Sequence, residues 1–247
     1  MTGSGVKTAL VTGSSRGIGK AVALRLARDG VNVILHGAAA SPALEKTARE
    51  IASFGGACRV LTADLTDPDQ AASLGKEAAG ADILVLNASL QIPRPWAEIT
   101  PEEARLQMQC NFFSSLTLLQ VLVPGMQERR WGRIVTIGSV QEAKPHPKML
   151  VYSASKAAQS NMTRSLSLQL APFGITVNNV APGVILTDRN KKALADADYA
   201  REVLDSIPLE RFGVPEDCAG VVAFLCGDGA AYITGQSLYV DGGKSIL

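Results

Sequence analysis

Residues 6–19 read VKTALVTGSSRGIG, an apolar run that enters a glycine-rich turn. The apolar residues 6–12 predict a β-strand, and the sequence from about Lys20 to Asp29 predicts a helix. A strand, a glycine-rich turn and a helix in this order are the context of a dinucleotide site. The glycines let the backbone approach a pyrophosphate, and the helix N-terminus offers it free N–H groups. A tight turn without a ligand is the alternative, but three glycines within residues 13–19 favour the dinucleotide site.

Strands and helices alternate along the rest of the chain. Further strands are predicted at residues 30–36, 58–63, 82–87, 133–138, 174–180 and 235–243, and helices between them at 42–54, from 67, at 101–127, 154–170 and 215–226. This alternation predicts an α/β fold, a doubly wound parallel sheet of seven strands with helices on both faces. No linker or short-period repeat interrupts it, so residues 1–247 are predicted to form a single Rossmann-type domain. The charged residues 188–192 are interpreted as a solvated loop or helix face.

Composition excludes several classes of protein. The 247 residues are 47% hydrophobic and 19% charged, with a net charge of +1, which argues against a nucleic-acid-binding surface. No apolar run is long enough for a membrane span, and the N-terminus lacks the apolar core of a signal peptide. The cysteines form no Cys-x-x-Cys pair and the two histidines are far apart, so no metal site is expected and a cytoplasmic protein with reduced cysteines is predicted. These residues are Cys58, Cys110, Cys218, Cys226, His36 and His146.

The strongest chemical pattern is Tyr152-Ser153-Ala154-Ser155-Lys156, with Ser139 upstream. On a helix, the spacing of four places Tyr152 and Lys156 on one face, about 5–6 Å apart at Cβ. A nearby ammonium lowers the pKa of a phenol, and a tyrosine so tuned can exchange a proton with a substrate oxygen. Ser139 ends the strand predicted at 133–138, where open α/β sheets place their chemistry. The alternative is a surface lysine beside a half-buried tyrosine.

One polar residue, Asn111, is unexpected inside the long helix predicted at 101–127. Its amide competes for backbone hydrogen bonds, so asparagine is mildly unfavourable in a helix interior. Asn111 either faces water or interrupts the helical bonding and holds a water molecule near the site.

Taken together, these motifs resemble those of the short-chain dehydrogenase/reductase family over essentially the whole chain. The matching residues are Thr12-Gly13-x-x-x-Gly17-x-Gly19, Asp64, Asn87-Ala88, Asn111, Ser139, Tyr152-x-x-x-Lys156 and Pro182-Gly183. Within the family, the chain is most similar to 3-oxoacyl-[acyl-carrier-protein] reductases and to sugar or polyol dehydrogenases. One departure is Ser89, which follows Asn87-Ala88 where the family usually has glycine.

The resemblance implies an NAD(P)-dependent oxidoreductase that interconverts a secondary alcohol and a ketone. Tyr152 would be the general acid and base, Lys156 would lower its pKa and bind the nicotinamide ribose, Ser139 would bind the substrate oxygen, and Asn111 would hold a water. The implied cofactor residues are Gly13, Ser15, Arg16, Gly17, Ile18 and Gly19 around the phosphates, Asp64 and Leu65 at the adenine, Asn87 and Ala88 at the adenosine ribose, and Pro182, Gly183, Ile185 and Thr187 at the nicotinamide end.

The end of the second strand favours NADP(H), with NAD(H) also possible. An NAD-specific site usually places a carboxylate there, and this chain has His36-Gly37-Ala38 instead. Arg16, in the glycine-rich turn, could bind a 2′-phosphate. His36 either assists when protonated or is a neutral residue at the end of the strand.

The substrate class stays open between small molecules and acyl thioesters. If the substrate is carried by an acidic protein, Arg129, Arg130 and Arg133 are candidates for a basic patch near the cleft. Apolar residues on the helices at 101–127 and 153–170 exceed one stripe, and with the family resemblance they indicate a homotetramer. A non-catalytic cofactor-binding regulator, and an isomerase or epimerase that uses the cofactor transiently, are the alternatives.

Overall fold

The computed structural model describes residues 5–191 and 194–246, and its strands form one parallel sheet of seven in the order β3-β2-β1-β4-β5-β6-β7. The strands are β1 (Thr8–Val11), β2 (Asn32–Gly37), β3 (Cys58–Thr62), β4 (Ile83–Leu86), β5 (Gly132–Ile137), β6 (Ile175–Pro182) and β7 (Ser237–Val240). Every residue of β4, β5 and β6 is buried, as expected for parallel strands covered on both faces. The predicted fold class is confirmed.

Helices cover the sheet on both sides and build two apolar cores. The helices are α1 (Gly17–Arg28), α2 (Pro42–Ser53), α3 (Pro68–Glu77), α4 (Pro101–Met108), α5 (Ser114–Arg129), α6 (Leu150–Leu170), α7 (Asp188–Lys191), α8 (Ala197–Asp205) and α9 (Pro215–Cys226). One core packs α1, α2 and α9 against the sheet, and the other packs α3, α5 and α6 against its opposite face. Among the residues that the structure describes, no helix combines the length and apolar character needed to cross a membrane.

The predicted elements exist, but several boundaries differ. Helix α1 begins at Gly17 rather than Lys20, because the last residues of the glycine-rich turn already form its first turn. Helix α6 begins at Leu150, so Tyr152 lies in its first turn. The single helix predicted at 101–127 is instead α4, a π-helical turn at Gln109–Phe113 and α5.

Candidate active site

The loops that carry predicted site residues leave the sheet at the carboxyl ends of β1, β3, β4, β5 and β6. β1 lies between β2 and β4, so the strand order reverses here, with β2 and β3 on one side of β1 and β4 to β7 on the other. Parallel sheets of this kind bind ligands at such a reversal, outside the carboxyl ends of the strands. The Thr12 hydroxyl joins two of these loops, because it accepts hydrogen bonds from the Asn87 N–H at 2.9 Å and the Ala88 N–H at 3.0 Å. The Asn87 amide returns a bond to the Thr12 carbonyl at 2.8 Å.

The glycine-rich turn at residues 13–19 forms an open backbone cradle, which would be filled if its glycines carried side chains. Gly13 and Gly17 have φ angles of +65° and +56°, a region that favours glycine. A Cβ on Gly19 would lie 2.3 Å from the Gly13 carbonyl oxygen and 2.4 Å from the Asn87 amide nitrogen. No side chain caps the N-terminus of α1 and its first turn has no acid, so the N–H groups there can receive an anion. This cradle, which includes Ser15, Arg16 and Ile18, therefore fits a cofactor phosphate.

His36 supports the cradle from below rather than facing a ligand. Its Nδ1 accepts a hydrogen bond from the Gly13 N–H at 3.1 Å, and its Nε2 lies 3.0 Å from the Ala63 carbonyl. These contacts assign the neutral tautomer with the proton on Nε2, and burial lowers the pKa of His36. The interpretation of His36 as a protonated partner of a phosphate is wrong, since the ring is buried and both nitrogens are engaged.

Asp64 and Leu65 follow β3 at the same edge of the sheet. The Asp64 carboxylate accepts hydrogen bonds from the N–H and the hydroxyl of Thr66 at 2.9 and 2.8 Å, so its position is fixed locally. Leu65 is buried in the core beneath it. The sheet therefore brings both residues to the side of the cradle where β2 and β3 end, and their role at the adenine stays a prediction.

The segment after β6 faces the cradle from the other side. Gly183 donates its N–H to the Val240 carbonyl at 3.0 Å, and a Cβ there would lie 2.7 Å from the Asp241 Cα. Ile185 is buried and pairs with Gly213 as an isolated β-bridge. Thr187 reaches Gly17, where an added Cβ would lie 3.3 Å from the Thr187 methyl group. Residues 182–187 are thus placed to cover a ligand in the cradle.

Lys156 is the most unusual buried charge of the site. Its ammonium donates to the Ile137 carbonyl at 2.6 Å and to the Gln159 side-chain oxygen at 3.2 Å, and lies 5.8 Å from the centre of the Tyr152 ring. Burial, and secondarily the charge of Arg189, lower the pKa of Lys156 to about 7. The side chain can therefore change its protonation state near neutral pH.

Tyr152 does not have the lowered pKa that the sequence predicts. Burial raises its pKa, while the charge of Arg189 and the hydroxyl of Ser139 act in the opposite sense. The lowering groups are thus Arg189 and Ser139 rather than the expected Lys156. Ser139 is held by its own loop, because its hydroxyl accepts the Gln141 N–H at 3.2 Å.

Asn111 lies in the π-helical turn and is fully buried, so the alternative that it faces water is wrong. Its amide donates to the Leu90 carbonyl and to the Ser155 hydroxyl, both at 2.9 Å, and its side-chain oxygen accepts the Leu90 N–H at 2.7 Å. Ser155 in turn donates to the Tyr152 carbonyl at 2.7 Å. The interruption of regular helical bonding is confirmed, and Asn111 connects the loop after β4 to α6.

One residue of the site, Arg189, was missed by the sequence interpretation. Its guanidinium donates to the hydroxyl of Ser89 at 3.0 Å and to the carbonyl of Ser89 at 2.9 Å. Within the charged run, Asp188 and Lys191 do form an exposed pair at 2.8 Å, as expected for a solvated face, and Lys192 lies outside the described residues. Arg189 is exposed, as that interpretation expects, but its guanidinium is also held by the loop after β4, a contact that the interpretation does not include. The sequence did hold one signal for this contact, because Ser89 stands where the family usually has glycine.

The candidate basic patch is not near the cleft. Arg133 lies at the start of β5, the edge of the sheet opposite Ser139, and is buried against the Trp131 ring at 4.5 Å. Arg129 is bound to Asp82 at 3.2 Å, and Arg130 to the Pro172 carbonyl at 2.8 Å. The hypothesis of a carrier-protein patch at these residues is therefore wrong.

Known proteins are similar to this chain in sequence and in fold over nearly their whole lengths. A family profile described as enoyl-(acyl carrier protein) reductase matches residues 13–245. Glucose 1-dehydrogenase of Gluconobacter oxydans (strain 621H) is 37% identical over 245 residues, covering 97% of this chain and 92% of that protein. A 3-oxoacyl (acyl-carrier-protein) reductase structure from Agrobacterium tumefaciens C58, with NADP bound, has a TM-score of 0.92 and 36% identity, covering 96% of this chain and 93% of that one. A proposed NAD(P)-dependent gluconate 5-dehydrogenase from Beutenbergia cavernae, also with bound NADP, has a TM-score of 0.94 and 35% identity, covering 98% and 97%.

Proposed function

The chain belongs to the short-chain dehydrogenase/reductase family, and on that premise we propose that Tyr152, Lys156, Ser139 and Asn111 form its catalytic centre. It is an NAD(P)-dependent oxidoreductase that interconverts a secondary alcohol and a ketone. The observation that carries the assignment of residues is the burial of Lys156 beside Tyr152 and Ser139, next to a glycine cradle that fits a phosphate. The single sheet, which takes its strands from Thr8 to Val240, supports the proposal that residues 1–247 form one domain.

Tyr152 and Ser139 act on the substrate oxygen. In reduction, the Ser139 hydroxyl donates a hydrogen bond to the carbonyl oxygen, and the Tyr152 hydroxyl transfers a proton to that oxygen. In oxidation, the Tyr152 phenolate removes the proton from the alcohol. The nicotinamide supplies or accepts the hydride when the cofactor is bound. The charge of Arg189 and the hydroxyl of Ser139 favour the phenolate form of Tyr152. Lys156 would bind the nicotinamide ribose, and its pKa of about 7 allows it to pass a proton onward near neutral pH.

NADP(H) is the favoured cofactor, and NAD(H) is possible. The cradle residues Gly13, Ser15, Arg16, Gly17, Ile18 and Gly19 would hold the phosphates. Asp64 and Leu65 would border the adenine, Asn87 and Ala88 the adenosine ribose, Tyr152 and Lys156 the nicotinamide ribose, and Pro182, Gly183, Ile185 and Thr187 the nicotinamide. Gly37 ends β2 without a carboxylate, and the exposed Arg16 supplies the positive charge for a 2′-phosphate.

A small polar substrate is favoured over a carrier-protein thioester. Relatives named for glucose and gluconate support a sugar or polyol substrate, whereas those named for 3-oxoacyl-[acyl-carrier-protein] support a thioester. The arginines that could have received an acidic carrier protein lie at the opposite edge of the sheet from the cleft. This placement removes the specific argument for a carrier protein.

A homotetramer in the cytoplasm is the proposed assembly and location. Leu168 on α6 is 81% exposed and Phe113, the last residue of the π-helical turn before α5, is 47% exposed, so both segments leave apolar surface for contacts between subunits. The cysteines Cys58, Cys110, Cys218 and Cys226 are free, which suits a reducing compartment. Light scattering at micromolar concentration is expected to give the mass of a tetramer, and a stable monomer would reject the assembly.

A substrate panel with both cofactors tests the activity. Oxidation of NADPH and NADH is followed with small ketones, oxo sugars and 3-oxoacyl thioesters, and reduction of NADP⁺ with the corresponding alcohols. NADPH-dependent reduction of at least one ketone class is expected. Conversion of substrate without net change of cofactor would indicate an isomerase or epimerase instead.

A further inference from the structure

The guanidinium of Arg189 lies at the mouth of the site without an acidic partner among the described residues. Its two hydrogen bonds within the described residues are to the uncharged hydroxyl and carbonyl of Ser89. The adjacent acid, Asp188, is bound to Lys191 at 2.8 Å and is exposed. Within residues 5–191 and 194–246, no ion pair neutralises Arg189. Its charge is therefore available to an anion that enters the cleft.

The guanidinium also lies beside the reacting groups. The loop that holds it is tied to the helix of Tyr152, because the Leu90 N–H donates to Asn111, which donates to the Ser155 hydroxyl. Arg189 also lowers the pKa of Tyr152, and its charge lowers the pKa of Lys156. A substrate oxygen must come within hydrogen-bond distance of the same Tyr152 hydroxyl to exchange a proton. A negative group close to the reacting carbon thus falls within reach of Arg189.

We propose that Arg189 recognises a carboxylate that the substrate carries close to the reacting carbon, so that the enzyme acts on hydroxy acids and oxo acids. This inference rests on the proposed function, because it names the substrate class of the same site. A guanidinium offers five N–H donors in a planar fork that matches a carboxylate, and Ser89 uses only part of them. Ser89 holds the fork in the cleft and leaves the other donors for the ligand.

Matched alcohols test the inference. Each pair differs in one group, a carboxylate in the first member and CH₂OH in the second: D-gluconate and D-sorbitol, 3-hydroxybutyrate and 1,3-butanediol, lactate and 1,2-propanediol. The ratio of kcat/KM for the acid to that for the neutral alcohol is measured with NADP⁺ for the wild type, Arg189→Leu and Arg189→Lys. Lys76→Leu is the control, because it removes an exposed positive charge from the last turn of α3 and breaks no ion pair among the described residues.

The wild type is expected to prefer the acid in at least one pair. Arg189→Leu should lower that ratio by roughly 10- to 100-fold, since a hydrogen-bonded charge is lost from the complex. Arg189→Lys should keep part of the preference, and Lys76→Leu should keep all of it. An Arg189→Leu variant with an unchanged ratio but a raised KM for NADP⁺ would overturn the inference, because the guanidinium would then bind a cofactor phosphate.

Calorimetric titration of the acids into the protein with NADP⁺ separates this inference from the proposed function. Binding of an acid that depends on Arg189, without turnover of any alcohol, would reject the oxidoreductase mechanism and retain the anion site. Turnover of neutral alcohols, with no acid preference in either rate or binding, would retain the mechanism and reject the anion site. No acid preference in any pair by either method likewise overturns the inference.

Discussion

Replacing Lys156 with methionine should remove a rise in stability between pH 7 and pH 9. The pKa of Lys156 is lowered from 10.5 to about 7 by burial and by Arg189, so the unfolded chain binds more protons than the folded chain between these values. Folding stability therefore increases with pH in this window and is lost as the pH falls through 7. Integrating this pH dependence from pH 7 to pH 9 for one such group gives an increase of about 2 kcal/mol in the free energy of unfolding.

The assay is urea unfolding without cofactor, followed by circular dichroism at fixed protein concentration. The free energy of unfolding of the wild type minus that of Lys156→Met should grow by about 2 kcal/mol from pH 7 to pH 9. Burial also raises the pKa of Cys218 and Cys226 to about 12, but both thiols are present in the two proteins and cancel in the difference. Lys46→Met, at an exposed site, is the matched control. A difference that stays constant, or that shrinks as pH rises, would refute the reasoning.

Two further substitutions test the cofactor site. Gly19→Ala should destabilise the fold by about 1–3 kcal/mol and weaken NADPH binding, because its Cβ would overlap the Gly13 carbonyl and the Asn87 amide. In contrast, Gly220→Ala in α9, where the added Cβ would meet only the Arg25 side chain at 3.9 Å, should be neutral or stabilising; a Gly19→Ala variant that matched it in stability and in NADPH affinity would contradict the cradle. Arg16→Ala should raise the KM for NADPH by roughly tenfold and leave that for NADH unchanged, as measured on one substrate; equal effects on both cofactors would contradict 2′-phosphate recognition.

The sequence predicts the fold well because its signals are local and repeated. The apolar runs at β1, β4 and β5 and the glycines after β1 each specify backbone structure within a few residues, and their order implies a parallel sheet. Boundaries differ because helix starts depend on capping and on the turn before them, as at Gly17. The order of the motifs also brings Ser139, Tyr152 and Lys156 together, because α6 follows β5 along the chain and packs against the sheet.

The parts of the site that were not predicted depend on contacts between distant segments. The contact of Arg189 with Ser89 joins residues 100 positions apart, and no periodic pattern encodes it. His36 is neutral because of Gly13 and Ala63, which lie on other elements. The raised pKa of Tyr152 follows from its burial, which a spacing argument does not measure.

The most direct test of the central claim is the turnover of Tyr152→Phe. The variant should melt like the wild type and bind NADPH with similar affinity in a fluorescence titration, because Tyr152 lies on a helix whose packing does not need the hydroxyl. Its kcat on the best ketone of the panel should fall by about 10²–10⁴-fold or more, since the proton donor is gone. Turnover near that of the wild type, in a folded and cofactor-bound variant, would contradict the assignment of Tyr152 as the general acid and base.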